Sequence, residues 1–191
     1  MNRFRKLIGQ WRSTEQHLER LRGDNEAALE ALYFLQERGH LLDGTLRNGV
    51  YEKVNWTLAT LAAAQLQGIN LRGAKLQGVY LHETHLENAD LTEANLQNAN
   101  LRAVYLLEAV LERATLQQSN LARADLRAVN LRGADLQGTN LWLTDLRGAD
   151  LRQAMLQGAA VYGVQADATT LLPDGTPWHA AVDWQIFTEN M

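Results

Sequence analysis

The fold is decided by a leucine that recurs at every fifth position, as in the run SNLARADLRAVNLRGADLQGTNL of residues 119–141. From Leu61 to Leu156 this spacing holds without exception, and a small or β-branched residue, most often alanine, stands two positions before each leucine. Five steps of about 100° would carry successive leucines around a helix axis, and an odd spacing would send them to opposite faces of a strand. The chain is therefore expected to turn once per unit and to wind around its own leucines.

The number of units in one coil follows from the residues after the leucines. Glutamine recurs there at a spacing of twenty residues, at Gln77, Gln97, Gln117, Gln137 and Gln157. Asparagine recurs at the same spacing just before a leucine, at Asn100, Asn120 and Asn140. A coil of three units would repeat every fifteen residues, and the series Gln77, Thr92, Leu107, Ala122 shows no such repeat. Four units per coil is therefore predicted, which gives a square section.

The repeat resembles the A(D/N)LXX motif of the pentapeptide-repeat protein family, as in Ala89-Asp90-Leu91 and Ala134-Asp135-Leu136. The resemblance implies an all-β solenoid, a right-handed quadrilateral β-helix, with an N-terminal α-helical cap and a short C-terminal cap. The period supports the square section independently but does not determine the handedness. Representative core leucines are Leu61, Leu81, Leu101, Leu116, Leu121, Leu141 and Leu156.

Residues 1–43 are predicted to form an N-terminal helical segment that caps the solenoid. Phe4, Leu7, Ile8 and Trp11 fall on one face of a helix with basic residues around it, so residues 1–12 either pack on protein or contact a membrane surface. A second helix is expected to begin after Asp24 as N-cap, to bury Leu29, Leu32 and Phe34 or Leu35, and to end at Gly39. The exposed end of a solenoid needs such a cap, because its unpaired backbone and apolar core invite association.

The repeat is expected to span residues 44–171, with irregular first units at Leu46, Tyr51 and Trp56 and with Leu171 as the last residue in phase. A capping tail, residues 172–191, follows. The string Leu172-Pro173-Asp174-Gly175-Thr176 followed by a tryptophan resembles the closing segment of many bacterial family members. The tail either folds over the last coil or forms a homodimer contact through Trp178, Trp184, Ile186 and Phe187. The N-terminal helices are a second possible dimer contact.

Composition sets broad limits on class and compartment. The 191 residues suit one domain, and the net charge of −4 is too small to indicate a partner. The lack of cysteine excludes a disulfide framework and is compatible with the cytoplasmic location that we predict. Neither a signal peptide nor a membrane span of about 20 apolar residues is visible. With no basic stripe, direct nucleic-acid binding is not expected.

The outer surface is left for function, and its exposed apolar residues are the first candidates. One candidate surface is Trp142, Leu143 and Tyr162, which the C-terminal tail is expected to cover; the other, at mid-height, is Tyr105, Leu107 and Val110. The glutamine series is interpreted as a ladder of stacked amides, with recognition of a polymer as the alternative. Asp125 and Asp145, beside Arg127 and Arg147, are expected to form a neutralised lattice.

The sequence contains few residues that are arranged for catalysis. Ser119 occupies an inward position, so no Ser-His nucleophile is predicted. His82 and His85 could suggest a metal, but they fall on adjacent walls without a third ligand. We therefore expect no catalytic residue, metal or cofactor, and predict a non-enzymatic structural or protein-interaction module whose partner is unknown.

One alternative function stays open. Some acidic family members are thought to imitate DNA and so protect DNA gyrase from quinolones. Residues 61–170 carry 9 basic and 11 acidic side chains, a net charge of −2. That density is low for mimicry of a duplex with one phosphate per roughly 1.7 Å. The alternative is thus a topoisomerase-binding protector, and it is less favoured.

Overall fold

The computed structural model describes residues 14–189, and its main body is a solenoid with a twenty-residue coil. Parallel backbone bridges join every fifth residue to the one twenty positions later, from Val50 with Asn70 to Asp145 with Gln165. Because the leucine period is five residues, each coil holds four units, as the sequence predicts. Each unit contributes one bridging residue rather than an extended strand. The turns between units interrupt the ladder before a longer strand can form.

The leucines line the inside of the coil. Every fifth residue from Leu61 to Leu156 is at most 1% exposed. The small or β-branched residues two positions before them are buried as well, from Ala59 to Ala154. Two of the five residues in each unit therefore point inward, and the other three form the outer surface. Leu41, Leu46, Tyr51 and Trp56 are buried too, so the core starts below the regular repeat.

Each unit ends in a tight turn with a left-handed residue. The second residue after the leucine position has positive φ in every unit from Asn48 to Gly163. The turn is closed by backbone hydrogen bonds such as that from the Ala114 N–H to the Leu111 carbonyl, over 3.1 Å. Glycine takes this position at little steric cost, whereas residues such as Arg113 hold it under strain. The glycines of the repeat are thus corner residues.

The four units of a coil define four walls, which we name by their outward side chains. The asparagine wall contains units centred on Leu61, Leu81, Leu101, Leu121 and Leu141, and the aspartate wall those on Leu66, Leu86, Leu106, Leu126 and Leu146. The arginine wall contains units centred on Leu71, Leu91, Leu111, Leu131 and Leu151, and the glutamine wall those on Leu76, Leu96, Leu116, Leu136 and Leu156. They follow one another around the coil in that order.

Two helices pack against the first coils. Helix α1 is Thr14–Arg20 and helix α2 is Asn25–Glu37. As predicted, Asp24 is the N-cap of α2, and its side chain accepts a hydrogen bond from the Ala27 N–H over 2.8 Å. Leu32, Phe34 and Leu35 are buried, but Leu29 is only partly buried at the edge of the core. The predicted amphipathic segment of Phe4, Leu7, Ile8 and Trp11 lies outside the described residues.

The coil loses its five-residue phase near its C-terminal end. Asp150 pairs with Leu171 rather than with residue 170, so one extra residue has entered the last coil. Leu172 is buried in the inward position and Leu171 faces outward, so the prediction that Leu171 is in phase is wrong by one residue. The extra residue is accommodated in a turn around Asp167, whose carboxylate accepts bonds from the N–H and hydroxyl of Thr169 over 2.9 and 2.6 Å.

The tail then folds back on the last coils. Pro177 pairs with Leu171 in antiparallel fashion, and the short helix α3, Gln185–Thr188, follows. Trp184 and Phe187 pack against the core, and the Gly158 N–H donates to the Thr188 carbonyl over 2.7 Å. Within residues 14–189 no helix is long and apolar enough to span a bilayer.

Candidate interaction surface

The glutamine wall is largely engaged with itself. The side-chain amide of Gln97 donates a hydrogen bond to that of Gln117, and the amide of Gln137 donates one to that of Gln157, each over 3.4 Å. The ladder is interrupted between these pairs, because Gln117 donates to the Asp135 carboxylate over 2.6 Å. The predicted stacking of amides along the solenoid thus occurs in pairs rather than as one continuous series.

Toward the C-terminal end of the solenoid, neighbouring arginines neutralise the aspartate wall. Arg127 pairs with Asp125 over 2.7 Å and Arg147 with Asp145 over 2.6 Å. Hydrogen bonds from the arginine side chains, opposed by desolvation, lower the pKa of both carboxyls. The lattice that the sequence predicts is therefore present, and its charged groups satisfy one another.

The mid-height cluster does not form one patch. Tyr105 stacks on His85 with ring centroids 4.5 Å apart, and the Nδ1 of His85 lies 2.8 Å from a carboxylate oxygen of Glu87. Leu107 lies on the same wall and is half-buried, whereas Val110 belongs to the arginine wall, where it bridges Asp90 and Asn130. A corner thus separates Val110 from the other two residues.

The asparagine wall presents a column of amides. Asn100, Asn120 and Asn140 follow one another at the coil spacing. The side-chain oxygen of each accepts the backbone N–H two residues later, over 3.2, 3.1 and 3.0 Å. Within residues 14–189 their amide nitrogens have no hydrogen-bond partner, so the column offers donors to solvent. Sequence reasoning used these asparagines only to count the coil.

The upper part of the asparagine wall carries exposed aromatic side chains. Trp142 is 39% exposed, and the guanidinium of Arg123 lies over its ring, 5.2 Å from the centroid. Tyr162, one coil above, is 77% exposed, so the prediction that the C-terminal tail covers this surface is wrong for Tyr162. The tail instead places Trp184 and Phe187 against the core. Trp142, Leu143 and Tyr162 thus share one accessible region.

Sequence reasoning missed two further members of this wall. Tyr80 lies in the asparagine column and His82 beside it, with ring centroids 6.2 Å apart. Both follow from the twenty-residue register, since Tyr80 precedes Asn100 by one coil. The relation of Arg123 to Trp142 was not visible, because it depends on the direction of a side chain at a corner.

The two histidines are engaged separately. His82 donates its Nδ1–H to the Arg102 carbonyl over 2.9 Å, while its Nε2 lies 3.2 Å from Glu83. His85 lies on the aspartate wall beside Glu87. In the described part of the chain, no group of three or more histidine, aspartate or glutamate side chains is arranged to hold a metal ion.

The repeated units of this chain match a known protein-family model. The model of pentapeptide repeats matches the chain in eight copies, in overlapping segments between residues 45 and 165. The chain belongs to the pentapeptide repeat family. The matched region extends from the first irregular units to the last regular coil, so the solenoid itself is the family domain.

Solved structures of other pentapeptide repeat proteins are similar to parts of this one. One from the cyanobacterium Cyanothece 51142 is 24% identical, with 72% of this chain and 99% of that chain covered and a TM-score of 0.41. One from Nostoc Pcc 7120 is 31% identical, with 59% and 84% covered and a TM-score of 0.33. QnrB1, a plasmid-mediated fluoroquinolone resistance protein, is 15% identical, with 70% and 81% covered and a TM-score of 0.25. No curated protein matches the chain.

Proposed function

We propose that this pentapeptide repeat protein is a non-enzymatic interaction module that binds a protein partner through its asparagine wall. The observation that carries the proposal is the pairing of Arg123 with the exposed ring of Trp142, next to Leu143 and Tyr162. Tryptophan, tyrosine and arginine are the residues most enriched at binding hot spots. A water-exposed tryptophan on a rigid surface also loses little conformational entropy when it is covered.

The other walls support this choice by contrast. The glutamine wall pairs its amides with each other, and the aspartate wall pairs its carboxylates with arginines. Groups already bonded within the chain must give up these bonds before they can bind a partner. The amide nitrogens of the asparagine wall have no such bonds to lose among residues 14–189. Its apolar and donor groups can therefore be engaged without breaking bonds of this kind.

Capture of partners from the native host tests the proposal. Trp142→Ala together with Tyr162→Ala is expected to release the captured partner. Met155→Ala is the matched control, because Met155 is 40% exposed on the glutamine wall and changes apolar area at similar exposure. A second arm replaces Tyr105 and Leu107 by serine. Retention of every partner by the double alanine variant would refute the role of the asparagine wall, and loss only in the serine arm would assign the contact to the aspartate wall.

The topoisomerase alternative makes a different prediction. A protector of gyrase should change supercoiling in the presence of a quinolone, and no effect at micromolar protein would eliminate it. The ion pairs of Arg127 with Asp125 and Arg147 with Asp145 weigh against DNA mimicry, since they cancel charge where a duplex carries one phosphate per roughly 1.7 Å.

The remaining structural roles belong to the same proposal. We infer a right-handed coil from the family, and caps formed by α1 and α2 at one end and by the tail at the other. The hydrogen bond from Trp56 to Leu21 and the packing of Trp184 and Phe187 support the caps. A homodimer through the tail would be centred on Ile186, which is 66% exposed, rather than on Trp184 or Phe187. Sedimentation of Ile186→Asp against the unmodified chain tests it.

A further inference from the structure

We propose that the asparagine wall recognises an acidic, extended segment of its partner protein. This inference rests on the proposed function and specifies the chemistry of the partner. It is carried by the types of polar group that the wall exposes, by the charge of the wall and by the spacing of its aromatic side chains.

The wall offers more hydrogen-bond donors than acceptors. The side-chain oxygens of Asn100, Asn120 and Asn140 are held by backbone N–H groups, which leaves their amide nitrogens outward. Arg102 lies beside this column, and within residues 14–189 its guanidinium has no ion-pair or hydrogen-bond partner. A surface whose donors outnumber its acceptors favours a ligand rich in acceptors, and carboxylates accept the strongest such bonds from arginine.

The charge of the wall agrees with this selection. Its outward residues between 59 and 163 include Arg102 and Arg123 but one carboxylate, Glu83, which contacts the His82 ring over 3.2 Å. With two arginines and one carboxylate the wall is positive, whereas the whole chain carries a net charge of −4. Such local complementarity favours acidic side chains at this wall.

The middle of the wall carries the small side chains of Ala103 and Ala122, the latter 5% exposed, beside Arg102 and Arg123. Tyr80 and His82 lie at one end of this stretch, and Trp142 lies at the other. Three coils separate Tyr80 from Asn140, about 14 Å at a spacing of about 4.8 Å, which corresponds to about four residues of an extended peptide. An extended segment can place carboxylates on the donors and apolar side chains on the aromatic ends.

A nucleic acid fits this wall less well than a peptide. Each strand carries one negative charge per roughly 3.4 Å, so its charges would extend past the two arginines. A peptide strand is narrow enough to stay on one wall and can present carboxylates only at the positions of the donors.

Selection from a library tests the inference without knowledge of the partner. A phage library of random dodecapeptides is panned on the full chain and on the variant Arg102→Gln with Arg123→Gln. The control variant carries Arg113→Gln and Arg132→Gln, which removes the same charge from the arginine wall. We expect aspartate and glutamate to be enriched severalfold on the full chain and on the control, and not on the first variant. No enrichment, or enrichment that survives the first variant, would overturn the inference.

The affinity of one selected peptide gives the second readout. Fluorescence anisotropy of the labelled peptide is expected to show binding at least about tenfold weaker for the Arg102→Gln, Arg123→Gln variant. Replacing the acidic residues of the peptide by glutamine should weaken its binding to the unmodified chain by a similar factor. A labelled twelve-residue oligothymidine is the nucleic-acid arm, and tighter binding of it than of the peptide contradicts a peptide partner.

The two proposals fail in different ways. A captured partner that is lost with Trp142→Ala and Tyr162→Ala but kept by the double arginine variant leaves the interaction module in place and refutes the acidic segment. A failure of the alanine variants to release any partner refutes the interaction wall itself.

Discussion

The indole N–H of Trp56 donates to the backbone carbonyl of Leu21 over 3.0 Å, which links the first coil to the end of α1. Trp56 is fully buried and stands where the regular units have leucine. Trp56→Phe removes this bond and leaves a buried carbonyl unpaired, so we expect a loss of about 1–3 kcal/mol in unfolding free energy. Urea denaturation followed by circular dichroism measures it. Trp142→Phe, on an exposed ring, is the control, and an equal loss there would contradict the role of the bond.

The inward leucines carry the stability of the coil. Leu116 is fully buried at mid-height, and alanine in its place creates a cavity between stacked neighbours. We expect Leu116→Ala to cost about 2–5 kcal/mol, measured in urea melts. Gln118→Ala, two residues later on the outside, should change the unfolding free energy by less than about 0.5 kcal/mol. A loss below about 1 kcal/mol for Leu116→Ala would count against close packing of the leucines.

The solenoid was accessible from sequence because its physical cause is local and repeated. A leucine every five residues excludes helix and strand, and the glutamine and asparagine spacing gives the coil length. The start of α2 was equally accessible, since Asp24 is a typical N-cap before an apolar pattern.

Other features depended on packing that no repeat encodes. The sequence continues the five-residue count to Leu171, but the turn around Asp167 absorbs one residue and brings Leu172 inward. The exposure of Tyr162 depends on where the tail folds, and the tail has no period to follow. The candidate wall was therefore only partly predicted: Trp142, Leu143 and Tyr162 were named, while Arg102, Arg123 and Tyr80 were not.

The positive φ at each corner predicts a pair of opposite mutational effects. Arg113 holds a φ of 55° and Gly133, one coil above, a φ of 64°. We expect Arg113→Gly to relieve backbone strain and to change stability between zero and a gain of about 1 kcal/mol, since glycine also raises the entropy of the unfolded chain. Gly133→Ala should cost about 1 kcal/mol. Its added Cβ would lie 3.5 Å from Arg113 Cγ, an ordinary contact, so the cost is conformational. Thermal melts of both variants measure this, and a stabilising Gly133→Ala would contradict the argument.

Ser119 differs from the other hydroxyls of the core. Its side-chain oxygen is buried and has no hydrogen-bond partner among residues 14–189, whereas Thr144 donates to the Leu121 carbonyl over 2.9 Å. Ser119→Ala replaces an unpaired polar group by the residue most common at that position, so we expect a gain of up to about 1 kcal/mol. Thr144→Ala loses a buried bond and a methyl group and should cost about 1–2 kcal/mol. The same urea melts compare them, and a destabilising Ser119→Ala would indicate that the hydroxyl has a partner.

Acid should destabilise the solenoid through its aspartates. The Arg147 side chain hydrogen-bonds Asp145 and lowers the pKa of that carboxyl below 3.8, and the side chains of Thr45 and His40 bring the pKa of Asp43 to about 2. Because these pKa values are lower in the folded state, their contribution is complete above the unfolded value and is lost as pH falls from about 4 to about 2. We expect the urea midpoint to fall over that window, and Arg147→Gln to make the fall shallower. Arg102→Gln, whose guanidinium has no carboxylate partner within residues 14–189, should leave the pH profile unchanged, and an equal flattening by both variants would show that net charge rather than the Arg147 pair sets the acid response.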